Sequence, residues 1–122
     1  MLAKKYRLSG EKEFKKIYSK GKFASGKYVN IKSIFKYRDK DVLPKVGIVV
    51  SKKISSKAVI RNKLKRQAGE IFYLILASLK KNSEIVVMYK KIPENFIDLK
   101  SDIENTLKKI NLYDKETFFI SD

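Results

Sequence analysis

The 122-residue chain contains no cysteine and no histidine. Without cysteine there are no disulfides, no thiolate nucleophile and no thiolate metal site, an inventory that suits a reducing cytoplasm. Without histidine the commonest general base and metal ligand near neutral pH is missing as well. Long apolar stretches are also lacking: the longest run, Ile71 to Ala77, is far too short to span a bilayer. Met1 to Leu8 is basic but has no continuous apolar segment of the kind a signal peptide needs. Acid is absent altogether from Val42 to Gly69. The carboxylates that do occur have local explanations: Glu11 and Glu13 in a predicted first helical turn, Asp39 and Asp41 beside a turn, Asp102 and Glu104 on a mixed-charge helix. They do not cluster for two-metal or acid/base work, so no catalytic residue and no metal ligand is assigned.

What is present is positive charge. Lys plus Arg number 29 against 13 for Asp plus Glu, a net +16 that steers the protein toward a polyanion. The length suits one domain, residues 1–122, with a real core, and a monomer when free. The imbalance is uneven: Pro93 to Asp122 mixes signs with a slight acidic excess, which places binding in the first two thirds. The richest stretch, Ser51 to Arg66, carries seven cations interleaved with Ala58, Ile60 and Leu64. That apolar spacing gives the run a buried side, so its charges sit on ordered structure rather than in a disordered basic tail.

Ser9 is the expected cap of a helix that carries Glu11 and Glu13 near its positive end, sets Phe14, Ile17 and Tyr18 on one face and stops at Gly21. From Tyr28 to Tyr37 the period changes to two. Val29, Ile31, Phe35 and Tyr37 are expected toward a core, with Tyr28, Asn30, Lys32 and Lys36 mostly on a cationic face. Arg38 to Pro44 has turn chemistry and Lys45 to Val50 is an apolar, β-branched strand, so these two strands are expected to pair as antiparallel neighbours. Apolar residues at Ile60, Leu64, Ala68, Ile71, Ile75 and Leu79 predict a helix over Ala58 to Lys80, about 34 Å long. Glu84 to Tyr89 reads as a further strand, Asp98 to Ile110 as a helix capped by Asp98, and the remainder as tail. The fold class is therefore α+β, a small mostly antiparallel sheet packed with helices in the order α-β-β-β-α-β-α.

On a helical wheel with Arg61 at zero, Lys65 falls at about 40°, Asn62 at about 100° and Arg66 at about 140°. Ile60, Leu64, Ala68, Ile71 and Ile75 gather on the opposite side, between about 260° and 340°. Arg61, Asn62, Lys65 and Arg66 thus form one stripe near a helix start, where backbone N–H groups also favour an anion, and Lys52, Lys53 and Lys57 extend the field upstream. Forked Arg and Asn donors without nearby acids suit phosphate contacts, whereas the plain alternative is a solvated basic face. Phe14 and Tyr18, four apart beside Ile17, are either core or a surface on which unpaired bases stack, with Lys12, Lys15, Lys16, Lys32 and Lys36 supplying phosphate contacts.

The segments Val46-Gly-Ile-Val-Val-Ser-Lys-Lys-Ile54 and Lys57-Ala-Val-Ile-Arg-Asn-Lys-Leu-Lys-Arg66, with Arg7-Leu8, Glu13-Phe14 and Ile17-Tyr18 through Gly21 upstream, resemble the protein component of bacterial ribonuclease P over nearly the whole chain. The resemblance implies an α+β fold with a left-handed βαβ crossover, which general handedness rules would not predict. It also implies a partner RNA that carries out Mg²⁺-dependent phosphodiester hydrolysis while the protein binds no cofactor of its own. Lys52, Lys53, Lys57, Arg61, Asn62, Lys63, Lys65 and Arg66 would then contact ribonuclease P RNA. Lys12, Phe14, Tyr18, Lys32 and Lys36 would hold the 5′ leader of precursor tRNA. Assembly of one protein with one RNA, a cytoplasmic location and no membrane contact follow in the same way. Three positions depart from the family pattern: Lys63 where a second Arg is usual, Gly69 where another Arg is common, and Lys32 where a cleft aromatic is frequent. A ribosomal or other structural RNA-binding protein fits the composition equally well and would bind RNA without turnover. A nuclease acting alone lacks clustered carboxylates, and a DNA-binding helix lacks a helix-turn-helix or zinc module.

Overall fold

The computed structural model describes residues 2–36 and 40–113. Three helices and one four-stranded sheet follow in the order α1 (Glu11–Lys20), β1 (Lys22–Ser25), β2 (Val29–Phe35), β3 (Lys45–Val49), α2 (Ala58–Ile75), β4 (Ser83–Tyr89) and α3 (Phe96–Lys109). The strands lie side by side as β1-β2-β4-β3. β1 runs antiparallel to β2 and β2 antiparallel to β4, while β3 runs parallel to β4.

That order corrects the expected β2–β3 hairpin. β4 is buried along nearly its whole length on both faces, so it takes the interior of the sheet and separates the two. β3 and β4 are then joined through α2 as a βαβ unit. The outer edge of β3 is covered by the N-terminal segment, where Arg7 bridges Val46 and the Leu8 N–H donates to the Val46 carbonyl at 2.9 Å. Lys22–Ser25 supplies the third strand that the expected order counts before α2 without assigning a segment to it. Its turn into β2 is clamped from α3: the Asp102 carboxylate accepts from the N–H groups of Lys27 (2.7 Å), Tyr28 (2.8 Å) and Val29 (3.2 Å).

The main core lies between one face of the sheet and α2 with α3. Ile31, Ile85 and Val87 meet Leu64, Ala68, Ile71, Phe72 and Ile75 of α2 and Leu99, Ile103 and Leu107 of α3. The α2 residues are the apolar stripe read from the sequence, with Phe72 added. Tyr28, expected on the polar face, is buried here, and Phe35, expected in the core, is 52% exposed at the far end of β2. Tyr37, Arg38, Asp39 and the tail from Asp114 onward lie outside the described residues.

Helix ends differ from expectation in three places. α1 begins at Gly10, with φ of 92°, and Ser9 supplies no cap. α2 stops at Ile75 and runs on only as one 3₁₀ turn, Leu76–Ser78. Leu79 there leaves the helix to bridge Tyr113, and the Lys80 N–H donates to the Leu112 carbonyl. α3 is capped by Asn95, whose side chain accepts from the Asp98 N–H at 2.8 Å while its amide donates to the Asp98 carboxylate at 3.1 Å. A residue without a sequence signal for its role is Asn82. It adopts φ of 65°, its Oδ1 accepts from the Val42 N–H and its carbonyl from the Lys36 N–H, so it ties the exit of β2 to the approach of β3.

Candidate nucleic-acid interface

Among the described residues, the second face of the sheet is covered by α1 together with Leu8 of the N-terminal segment. Ile17 is fully buried against Leu8 and Val86, with Phe14, Ile34, Val49 and Met88 partly buried around them. Burial of Ile17 contributes about 1.5–3 kcal/mol to holding α1 down. An ion-pair cluster adds to it: Lys36 Nζ lies 3.0 Å from Glu13 of α1 and 3.3 Å from Glu84 of β4. Burial, followed by hydrogen bonding to Glu13, raises the Glu84 pKa. Hydrogen bonds from Glu84 and Lys36 lower that of Glu13, and the bond to Glu13 raises that of Lys36. Lys36 therefore helps seat α1, and its charge is already matched by acid.

Beside α1 the sheet face leaves Phe23 exposed and Lys32 and Ile34 half-buried, which marks out a candidate cleft. The Phe14 and Tyr18 rings are 6.4 Å apart between centroids and tilted by 36°. Phe14 is half-buried and Tyr18 is 37% exposed, with its hydroxyl pKa raised by burial. The two readings of this pair thus divide by residue: Phe14 packs into structure with an edge free, and Tyr18 faces the cleft. Lys32 donates to the Tyr18 carbonyl at 2.8 Å with its ammonium 5.9 Å from the Tyr18 ring centroid. Lys32 is paired in register with Phe23 of β1, which puts that ring, 53% exposed, on the same face. Phe23 was not singled out in the sequence, because a four-residue strand leaves too short an alternation to read. Lys12 is exposed on α1.

The basic stripe forms as predicted on α2. Asn62, Lys63, Lys65 and Arg66 are exposed, as are Lys52, Lys53 and Lys57 ahead of the helix. Arg61 is half-buried and donates from Nη1 to the Ser55 carbonyl at 2.9 Å, bracing the loop that carries the upstream lysines. Gly69, one turn beyond Lys65, is buried and faces Ile48 of β3.

One groove of about 450 Å³ runs from Phe14 to the α2 stripe. Phe14 lines one end, Asn62, Lys65 and Arg66 the other, with Leu2, Arg7, Leu8, Val46, Gly47, Ile48 and Gly69 between. Gly47 is what allows this, since a Cβ there would lie 2.6 Å from the Phe14 ring. Arg7 enters as a groove cation that charge counting alone did not single out. The remaining residues, Lys52, Lys53, Lys57, Arg61 and Lys63, lie outside the groove lining, and Lys12, Tyr18, Lys32 and Lys36 belong to the cleft side. Among the described residues no group of three or more carboxylates is placed to hold a metal ion, and no helix is long and apolar enough to cross a membrane.

This fold has counterparts among known proteins. The family described as Ribonuclease P matches residues 2–111. A ribonuclease P protein component of Pseudanabaena sp. strain PCC 6903 is 38% identical over 111 residues, covering 89% of this chain and 94% of that one. The chain belongs to the ribonuclease P protein family. Another member, from Caldanaerobacter subterraneus subsp. tengcongensis, is 34% identical over 119 residues, covering 95% of this chain and 98% of that one. The RNase P protein of Thermotoga maritima superposes with a TM-score of 0.74 at 31% identity, covering 86% and 97% of the two chains. The architecture and its structural counterpart bear out the α+β reading.

Proposed function

We propose that the protein binds ribonuclease P RNA through Lys52, Lys53, Lys57, Arg61, Asn62, Lys63, Lys65 and Arg66. In this reading it holds the 5′ leader of precursor tRNA along Lys12, Phe14, Tyr18 and Lys32, with Phe23 as an added stacking surface, and so supports endonucleolytic leader removal. Lys36 stands at the edge of that set and acts through the seating of α1. The observation that carries the reading is the single groove running from Phe14 to Asn62, Lys65 and Arg66 without an acid in its lining.

The division of labour follows from what the side chains can do. With no histidine and no thiol in the chain, this reading gives proton transfer and metal-assisted attack to the partner RNA and its Mg²⁺, as the family resemblance implies. The protein's lysines and arginines neutralise phosphates where two RNA segments approach each other, which lowers the Mg²⁺ needed and makes binding fall steeply with salt. An exposed Tyr18 and Phe23 beside Lys32 suit a single strand whose bases stack while its phosphates meet cations. The working state is one protein with one RNA in the cytoplasm.

Replacing Phe14 by Ala tests the leader assignment. The holoenzyme is expected to lose about 1–3 kcal/mol of affinity for leader-bearing precursor and to keep its affinity for mature tRNA. Equal loss for both substrates, or a fall in melting temperature with no selective effect, would support a purely packing role for the ring.

A further inference from the structure

A second basic hollow lies at the far end of β2, apart from the α2 stripe. Side chains alternate along a strand, so Ser33 and Phe35 share the face of Ile31, which packs against α2 and α3, and turn away from Lys32 and the leader cleft. Lys22 of β1 is the register partner of Ser33, which sets its side chain on that same face. Lys20 comes from the last turn of α1, and Lys80 from the segment after α2, where its N–H donates to the Leu112 carbonyl beyond the end of α3. Lys20, Lys22 and Lys80 thus line a space of about 260 Å³ together with Ser33, Phe35 and Leu112.

Two features of this hollow are unmatched from within. No acid lines it, and among the described residues none of its three lysines is ion-paired. The Ser33 hydroxyl is buried, at 5% exposure, and has no hydrogen-bond partner among the described residues. Gathered like charges repel, and a buried hydroxyl left unpaired costs free energy. A single anion would answer both, as counter-charge for the lysines and as acceptor for the hydroxyl. Three ammonium groups suit a terminal phosphate, which carries nearly two negative charges near neutral pH, better than a diester inside a chain. The wall beside them is apolar: Phe35 is half exposed, with the Lys80 ammonium 4.7 Å from its ring centroid, and Leu112 is buried next to it. The small volume admits a phosphate and one flat ring and excludes an RNA helix.

We propose that this hollow binds a phosphate monoester carried on a nucleoside, with the phosphate on Lys20, Lys22, Lys80 and the Ser33 hydroxyl and the base against Phe35. The site uses none of the residues given above to ribonuclease P RNA or to the leader, and it stands independently of that reading. A free nucleoside monophosphate and the phosphorylated end of an RNA chain share this chemistry, and the test separates them.

The full-length protein is titrated with adenosine 5′-monophosphate, with adenosine, and with one trinucleotide prepared with and without a 5′-phosphate, following amide NMR signals and calorimetric affinity. The monophosphate and the phosphorylated trinucleotide are expected to move the signals of Lys22, Ser33, Lys80 and Leu112, and the two ligands without a terminal phosphate to bind on the order of tenfold more weakly. Lys22→Gln/Lys80→Gln should weaken the monophosphate on the order of tenfold. Ser33→Ala should weaken it severalfold while melting no lower than the wild type, because the unpaired hydroxyl is gone. A phosphorylated trinucleotide that binds more tightly than the monophosphate identifies a chain end as the ligand, and the reverse order a free nucleotide; both keep the site. Equal binding of the two trinucleotides, wild-type affinity in both variants, or signals that move along Arg61 to Arg66 instead would overturn it. An Arg61→Ala/Arg66→Ala protein is the reference and should bind the monophosphate as the wild type does. Its failure to lose ribonuclease P RNA would overturn the RNA reading alone, and its loss of the monophosphate would overturn the hollow.

Discussion

Replacing Arg61 and Arg66 together by Ala is expected to weaken binding to ribonuclease P RNA by about 2–4 kcal/mol, roughly 30- to 1,000-fold in Kd. The two residues flank Asn62 and Lys65 on the exposed stripe of α2, and Arg66 also lines the groove. Each guanidinium can grip a phosphate with two parallel N–H bonds, which a lysine cannot do. The slope of log K against log salt should fall by about 1.5 if each arginine neutralises one phosphate. Arg61 has a second task, because its Nη1 holds the Ser55 carbonyl and with it the loop bearing Lys52, Lys53 and Lys57. Replacement of both by Lys separates the two contributions. It keeps the salt slope and loses the forked geometry, so its affinity should lie between those of the wild type and the Ala pair. Unchanged RNA affinity in the Ala pair, measured by titration across a salt series, would remove α2 from the RNA interface.

Asp102→Ala is expected to destabilise the fold by about 3 kcal/mol without direct effect on RNA contacts. Its carboxylate satisfies three consecutive backbone N–H groups at the turn between β1 and β2, and the same turn is held by Lys90 Nζ donating to the Gly26 carbonyl. Gly26 at that turn also leaves no room for a side chain, since a Cβ would lie 2.8 Å from the Asp102 carboxylate. Removing the acceptor leaves donors of Tyr28 and Val29 partly buried without replacement, which costs more than an ordinary surface hydrogen bond. Asp102→Asn should recover only part of the loss, because an amide oxygen accepts less strongly than a carboxylate. Denaturant unfolding of the two variants measures the difference. Stabilities equal to wild type in both would mean that the turn does not depend on this clamp.

These cases show where the sequence was legible. The α2 stripe and its apolar reverse face were readable because a long helix repeats its pattern five times over, so Leu64, Ala68, Ile71 and Ile75 could hardly be misplaced. Asp102 was read as an ordinary surface acid, since its partners lie 73 to 75 positions away in the chain. Long-range pairing hid the sheet order for the same reason: a turn-like segment between β2 and β3 suggested a hairpin, and only the two-sided burial of β4 puts that strand between them. Single caps were also exchanged, Asn95 for Asp98 and Gly10 for Ser9, because several residues near each helix start could serve. Residue types suggested two sets of candidate contacts, but the groove running from Phe14 to the α2 stripe depends on Gly47, which leaves room for the Phe14 ring. The acid partners of Lys36 were not legible because they come from two other elements, Glu13 on α1 and Glu84 on β4.

The central claim, that this protein is the non-catalytic half of a leader-removing ribonucleoprotein, is tested most directly by multiple-turnover cleavage of a precursor tRNA at low millimolar Mg²⁺. Three reactions are compared: the protein alone, a bacterial ribonuclease P RNA alone, and the two together. The account predicts efficient cleavage at the mature 5′ end only in the mixture, falling steeply as salt is raised. Cleavage by the protein alone, or a mixture no faster than the RNA alone, would contradict it.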